Sequence, residues 1–211
     1  MSQQNIVVQQ PVKPEHLILL FHGVGDSAAG MAPVGSHFAQ AFPLALVVSI
    51  DGPFASGMGN GRQWFSVQGI TEQSRQGRID DVMPQFIATV RHWQQQSGLD
   101  AAQTTLVGFS QGTIMALEGV KAQPQLAGQV IGFSGRFATL PQKPLSDVVI
   151  HLIHGEQDGV IGVEHAKAAA SSLLALGNQV TLDLAAHTGH GINQPMLEWA
   201  IGHLRQDISV R

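Results

Sequence analysis

Thr104-Thr105-Leu106-Val107-Gly108-Phe109-Ser110-Gln111-Gly112-Thr113-Ile114-Met115-Ala116-Leu117 joins an apolar run to a run of helix formers through the pentapeptide Gly108-x-Ser110-x-Gly112. A G-x-S-x-G segment between a strand and a helix is the sequence form of a nucleophile elbow. In that turn the serine is held in a strained backbone shape, and the glycines two before and two after it let strand and helix nearly touch. The turn lifts the Ser110 hydroxyl clear of the backbone and sets it at the N-terminus of the following helix, where unpaired N–H groups favour a developing oxyanion. An ordinary Gly-Ser turn can hold the same five residues, so the reading rests on the strand before it and the helix after it.

Outward from this turn, short apolar runs alternate with longer stretches of helical period. Strands are expected at 6–8, 17–21, 44–50, 104–109, 130–133, 148–154 and 180–184, most of them apolar throughout, as strands covered on both faces should be. The clearest helix is 79–93, where Ile79, Val82, Met83, Phe86, Ile87, Val90 and Trp93 recur on one face. Helices are also expected at 163–176, closed by Gly177-Asn178, and at 193–205, with Pro195 in the first turn. The β-α order predicts a mostly parallel sheet of about seven strands with helices on both faces and functional loops at the carboxyl ends of the strands.

Composition narrows the classes of function. The chain has 211 residues, 44% hydrophobic and 12% charged, which suits one folded domain, 1–211, and excludes disorder. A net charge of −4 without a Lys/Arg cluster speaks against nucleic acid as a partner. Met1-Ser2-Gln3-Gln4-Asn5 has no basic-then-apolar leader pattern, and no apolar stretch is long enough for stable membrane insertion, so a soluble cytoplasmic protein is expected. With no cysteine there is no disulfide, thiolate metal site or cysteine nucleophile.

A serine hydroxyl needs a base and an acid to orient that base, and on this kind of fold they follow the serine in the order acid, then histidine. The 148–154 strand runs into Gly155-Glu156-Gln157-Asp158-Gly159, which offers Glu156 or Asp158, the latter better placed to turn back into a cleft. The 180–184 strand runs into Ala185-Ala186-His187-Thr188-Gly189-His190-Gly191, which offers two bases. Glycines on both sides of His190 let its imidazole approach another element, whereas His187 suits a surface or structural role. For the oxyanion the donors expected are the N–H groups of Gln111, next after the serine, and of Val24 in His22-Gly23-Val24-Gly25-Asp26. There His22 reads as a structural contact, and Asp26 and Ser27 as caps of a helix. Ser134 reads as a loop or pocket-floor residue. His151 and His154, three apart on one strand, face opposite sides, which argues against a shared metal.

The segment 51–69 is long, contains Gly57-x-Gly59-x-Gly61 and Gln63-Trp64-Phe65, and reads as a functional loop without secondary structure. No Gly-Lys-Ser/Thr follows its glycines, which argues against a phosphate cradle. Trp64 and Phe65 are its candidates for an apolar substrate-binding surface, with one expected to contact substrate and the other to pin the loop.

With these residues in place the chain resembles the phospholipase/carboxylesterase family, small α/β hydrolases that include acyl-protein thioesterases. The resemblance runs through His22-Gly23-Val24-Gly25-Asp26, Arg62-Gln63-Trp64-Phe65, Gly108-Phe109-Ser110-Gln111-Gly112, His154-Gly155-x-x-Asp158 and Gly189-His190. It implies a single-domain α/β-hydrolase fold and hydrolysis of short- to medium-chain carboxylic esters or thioesters through an acyl-enzyme, with Ser110, His190 and Asp158 catalytic and no cofactor or metal. Only 134–147 separates two strands where larger relatives insert a lid domain, so no lid is expected. Two departures stand out: Ser66 where relatives commonly carry aspartate, and Gly159 and Gly162 where proline is frequent. The rival readings are a peptidase or amidase on the same fold and a non-catalytic binding module. The natural acyl and leaving groups and the oligomeric state are left open.

Overall fold

Along strand β2 (His16–Phe21), Leu17, Leu19 and Phe21 enter one hydrophobic cluster while Ile18 and Leu20 enter another, and all five are fully buried. Successive side chains of a strand point to opposite sides, so this segment alone requires a sheet covered by helices on both faces. The computed structural model of the protein describes residues 4–57, 59–145 and 147–209. Its main sheet has seven strands in the order β1 (Ile6–Gln9), β3 (Ala45–Ile50), β2, β6 (Thr104–Phe109), β7 (Gln129–Phe133), β8 (Val149–Gly155) and β9 (Gln179–Ala185). Strand β1 is antiparallel to β3, and every other neighbour in this sheet is parallel. The expected strands are all present, with ends displaced by about one residue.

One face is covered by α1 (Ala28–Ala41) and α5 (Gln194–Ser209), through Met31, Phe38, Met196, Leu197 and Leu204. The other is covered by α2 (Glu72–Ser97), α3 (Gln111–Ala122) and α4 (Val163–Ala175), through Ile79, Phe86, Ile114, Leu117 and Leu173. Helix α2 is longer than the apolar stripe 79–93 predicts. It starts at Thr71, whose side chain caps Ser74 N–H while Ser74 caps Thr71 in return, and it ends at Gly98 in the left-handed region. Its first turns are polar and carry no stripe, which is why periodicity misses them. Pro84 lies in its interior, where proline costs about 3 kcal/mol. Burial of Ile79, Met83, Phe86 and Val90, at roughly 1.5–3 kcal/mol each, outweighs that loss.

The segment 51–69 departs from expectation. It is not structureless: β4 (Phe54–Ala55) and β5 (Arg62–Gln63) pair antiparallel as a ribbon, and Asp26 bridges to Arg62. Strands of two residues are too short to show alternation. Met58, inside the glycine-rich run, lies outside the described residues.

The chain leaves β2 toward β3 and then crosses back to β6 on the other side of β2. The loops at the carboxyl ends of β2 and β6 therefore diverge, opening the crevice where sheets of this kind place their ligands. Residues 22–27 follow β2 and Ser110 follows β6.

Candidate active site

Ser110 has φ 53° and ψ −114°, a backbone shape that costs a residue with a side chain about 1–3 kcal/mol. The glycines on either side make that shape possible: a Cβ on Gly108 would collide with the backbone of Thr113, and one on Gly112 with the carbonyl of Phe21. Strand and helix are thus in backbone contact. The Ser110 N–H donates to Phe133 O at 3.0 Å, which ties the turn to β7. Although Ser110 occupies the N-cap position of α3, its hydroxyl makes no capping bond. It lies instead 2.9 Å from His190 Nε2.

His190 Nδ1 lies 2.7 Å from Asp158 Oδ2. The other carboxylate oxygen of Asp158 accepts from the N–H groups of Val160 and Ile161, at 2.8 and 2.9 Å. Burial by itself would raise the Asp158 pKa, but the hydrogen bonds from His190, Ile161 and Val160 prevail and hold the carboxyl below its ordinary value. An ionised carboxylate only accepts, so Nδ1 of His190 carries the proton and Nε2 is left to accept from the serine hydroxyl. The loops bearing acid and base are joined by backbone bonds, Glu156 N–H to Ala185 O at 3.0 Å and Gln157 N–H to Thr188 O at 2.9 Å. Of the residues weighed against these two, Glu156 and His187 are both exposed.

Two neighbours of this line stand in the motifs that carry the resemblance, although the sequence gives them no role. His154, read as having no special role, is buried with Nε2 donating to Ile161 O at 2.8 Å and lying 3.3 Å from Asp158 Oδ2. The Phe109 ring packs 5.0 Å from the His190 ring.

Around the expected oxyanion donors, Gly25 N–H bonds to Arg62 O at 2.8 Å and Asp26 N–H to Gly23 O at 3.3 Å. The N–H groups of Val24 and of Gln111, the first residue of α3, donate to no acceptor among the described residues. Gly52, Trp64 and Phe65 brace this loop. His22 Nδ1 donates to Gly23 O at 2.6 Å and its Nε2 accepts from Gly52 N–H at 2.9 Å, and burial lowers the His22 pKa, keeping the ring neutral. Trp64 Nε1 donates to His22 O at 2.9 Å, and the Gln111 side chain accepts from Trp64 N–H and donates to Phe65 O, both at 2.8 Å.

Of the two candidates, Trp64 therefore takes the loop-pinning place and not the substrate surface. It is 3% exposed, with its ring edge-on to Phe21 and Phe86. A large aromatic with a satisfied N–H gains more from that core than from a solvent-facing wall. Phe65 is as little exposed, at 2%, but it borders the cleft at Ser110.

That cleft measures about 180 Å³ and is lined, beside Ser110 and Gln111, by the apolar Val24, Phe65, Val67, Ile114, Val160 and Ile161 and by the polar Arg75, Arg136 and His165. Among the described residues, only Phe65 and Val67 of this lining come from 51–69. A larger hollow of about 690 Å³ lies at the other end of the sheet, between Val148 and Val149, Asn178 and Asp207, away from Ser110. Among the described residues no three His, Asp or Glu side chains gather as a metal site, and no helix is long and apolar enough to cross a membrane.

Comparison with known proteins identifies the family. A family model described as Phospholipase/Carboxylesterase matches residues 2–208. Esterase YpfH of Escherichia coli (strain K12) is 53% identical over 209 residues, covering 99% of this chain and 90% of that protein. Acyl-protein thioesterase 1 of Kluyveromyces lactis is 26% identical over 179 residues, 76% of each. The crystal structure of esterase PE8 superposes with a TM-score of 0.86 at 28% identity, covering 97% of this chain and 98% of that one.

Proposed function

The chain belongs to the phospholipase/carboxylesterase family of α/β hydrolases and is of esterase type, and from that premise we propose that it cleaves carboxylic esters or thioesters through a serine acyl-enzyme. The observation that carries the reading is the line from Ser110 Oγ to His190 Nε2 to Asp158, with steps of 2.9 and 2.7 Å.

Ser110 Oγ attacks the carbonyl carbon while His190 Nε2 takes the hydroxyl proton, and Asp158 holds Nδ1–H and stabilises the imidazolium that results. The carbonyl oxygen becomes an oxyanion, held by the N–H groups of Val24 and Gln111 at the positive end of α3. Collapse breaks the bond to the leaving alcohol or thiol, which receives the proton from His190. Water, deprotonated by the same imidazole, then attacks the acyl-enzyme and frees the acid and Ser110.

The exposed Val67 and Val160, at 38% and 71%, give the cleft an apolar rim suited to short and medium acyl chains. Among the described residues between β7 and β8 there is no helix that could act as a lid. Initial rates taken across the solubility limit of one ester series should rise smoothly, and a sharp jump at the micellar threshold would contradict an open cleft. A fluorophosphonate probe should label Ser110. A folded protein that resists the probe would be a binding module, and one that releases a matched anilide as fast as the ester would be an amidase.

A further inference from the structure

The cleft beside Ser110 also carries two guanidinium groups, Arg75 from α2 and Arg136 from the loop after β7. Both converge on one carboxylate. Glu72 Oε2 accepts from Arg136 Nη2 at 2.7 Å, and Oε1 accepts from Arg136 Nη1 at 3.1 Å and from Arg75 Nη2 at 3.0 Å. The arginine side chains are 17% and 12% exposed and line the cleft, whereas Glu72, which bridges them, is 60% exposed and faces solvent.

The charges do not cancel. Two cations face one carboxylate; His165, 3.1 Å from Arg136 Nη1, is pressed toward its neutral form by burial and by that arginine, and Glu164, a further acid acting on it, is exposed. Arg75 Nε is buried with no hydrogen-bond partner among the described residues. A two-point grip on a carboxylate is the contact guanidinium groups make best, and an exposed ion pair adds so little stability that Glu72 can give way to a competing anion.

We propose that Arg75 and Arg136 form a carboxylate subsite of the cleft, covered by Glu72 in the free protein, and that favoured substrates are esters bearing a carboxylate a few bonds from the scissile carbonyl. This rests on the esterase reading above. Glu72 then occupies the place of the substrate's own carboxylate, and the apolar rim takes the carbon chain between the two ends. The competing account is that the three side chains only tie the first turn of α2 to the loop after β7.

The test compares kcat/KM for anionic and neutral esters of like size. Mono-p-nitrophenyl succinate against p-nitrophenyl butyrate puts the acid on the acyl side, and 4-carboxyphenyl butyrate against 4-carbamoylphenyl butyrate puts it on the leaving group. Arg136→Gln and Arg75→Gln should each lower the anionic-to-neutral ratio about tenfold in one of these pairs while the neutral ester changes less than about threefold. Glu72→Gln should move the ratio the opposite way, upward about threefold. In the wild type the ratio should fall as sodium chloride is raised. Ratios that stay unchanged in all three variants and in salt, or losses equal for both esters, would overturn the subsite and leave a structural tie. Should an arginine variant fail to fold, Glu72→Gln and the salt series decide alone. A wild type inactive on every ester would refute the esterase reading instead, whereas hydrolysis of neutral esters without these charge effects would refute only the subsite.

Discussion

The turn around Ser110 and the segment from Asp51 to Gly69 shape one cleft by opposite means. The turn is built from backbone: two missing Cβ atoms and a strained φ within five residues, with an N–H bonded across to Phe133, fix the hydroxyl. The segment is built from side chains that reach far along the chain. Trp64 enters a core formed by Phe21 and Phe86, Gln111 pairs with the backbone of Trp64 and Phe65, and Asp51 Oδ1 accepts the N–H of Ala28 at 2.7 Å to start α1. Constraints of the first kind act on the reaction and those of the second on the stability of the scaffold, and substitution should separate the two.

The largest effect belongs to the turn. Ser110→Ala and His190→Ala should each lower kcat on the order of 10⁶-fold, the loss met when a member of such a triad is removed, with little change in melting temperature. His187, exposed and outside the line, should tolerate alanine within about tenfold. Steady-state rates on one soluble ester decide it: an inactive His187→Ala beside an active His190→Ala would reverse the assignment.

The segment should answer in the other currency. Trp64→Ala removes a buried ring and the bond to His22 O, and should cost about 3–5 kcal/mol. That is a large part of the 5–15 kcal/mol a domain usually has. Urea unfolding measures it, and a midpoint equal to wild type would mean that Trp64 is not the anchor its burial implies.

The same contrast explains what could be read in the sequence. Gly108, Ser110 and Gly112 announce the turn within five residues, and Asp158 and His190 each sit in a short loop after a strand, where pattern offers two candidates apiece and the family resemblance favours these. The sheet is legible too, since strands such as Leu17 to Phe21 are apolar throughout. His154, Arg75 and Arg136 gain their neighbours only when loops distant in sequence meet at the carboxyl ends of the strands. Trp64 shows the converse: its identity allows either a substrate wall or a loop anchor, and only the positions of Phe21 and Phe86 reveal a core residue. The start of α2 was hidden because Thr71 and Ser74 form a reciprocal cap without the glutamate or glutamine usual at its third position.

A smaller effect distinguishes the two regions by pH. Burial depresses the pKa of His22, whose Nε2 must stay unprotonated to accept from Gly52 N–H. As pH falls below about 6.5 the unfolded chain takes up the proton first. The stability contributed by neutral His22 is therefore complete above that pH and is lost as pH falls from there toward the depressed folded value. Thermal midpoints recorded from pH 7.5 to 5 should drop, and should drop less in His22→Gln, whose amide oxygen accepts without titrating. His151, also kept neutral by burial, contributes to the decline and persists in that variant. Equal slopes in wild type and variant would remove His22 from the account.

The smallest effect lies in the acid loop, where local backbone shape can be improved without touching the reaction. Asp158 accepts through one oxygen from the N–H groups of Val160 and Ile161 and makes no such bond to Gly159, so Asp158 opens a turn and Gly159 takes its second place. Proline suits that position with aspartate before it. Gly159 is not among the glycines with positive φ, and a Cβ there would meet nothing within 4 Å. Gly159→Pro should therefore stabilise by roughly 0.4–1 kcal/mol, because it restricts the unfolded chain more than the folded one. In a chain of this length that raises the melting temperature by about 1–4 °C. Since the carboxylate keeps both backbone donors, kcat should stay at the wild-type value. A lower melting temperature would show that the turn is not shaped for proline, and a lower kcat at unchanged stability would show that the acid's aim depends on the freedom of the residue after it.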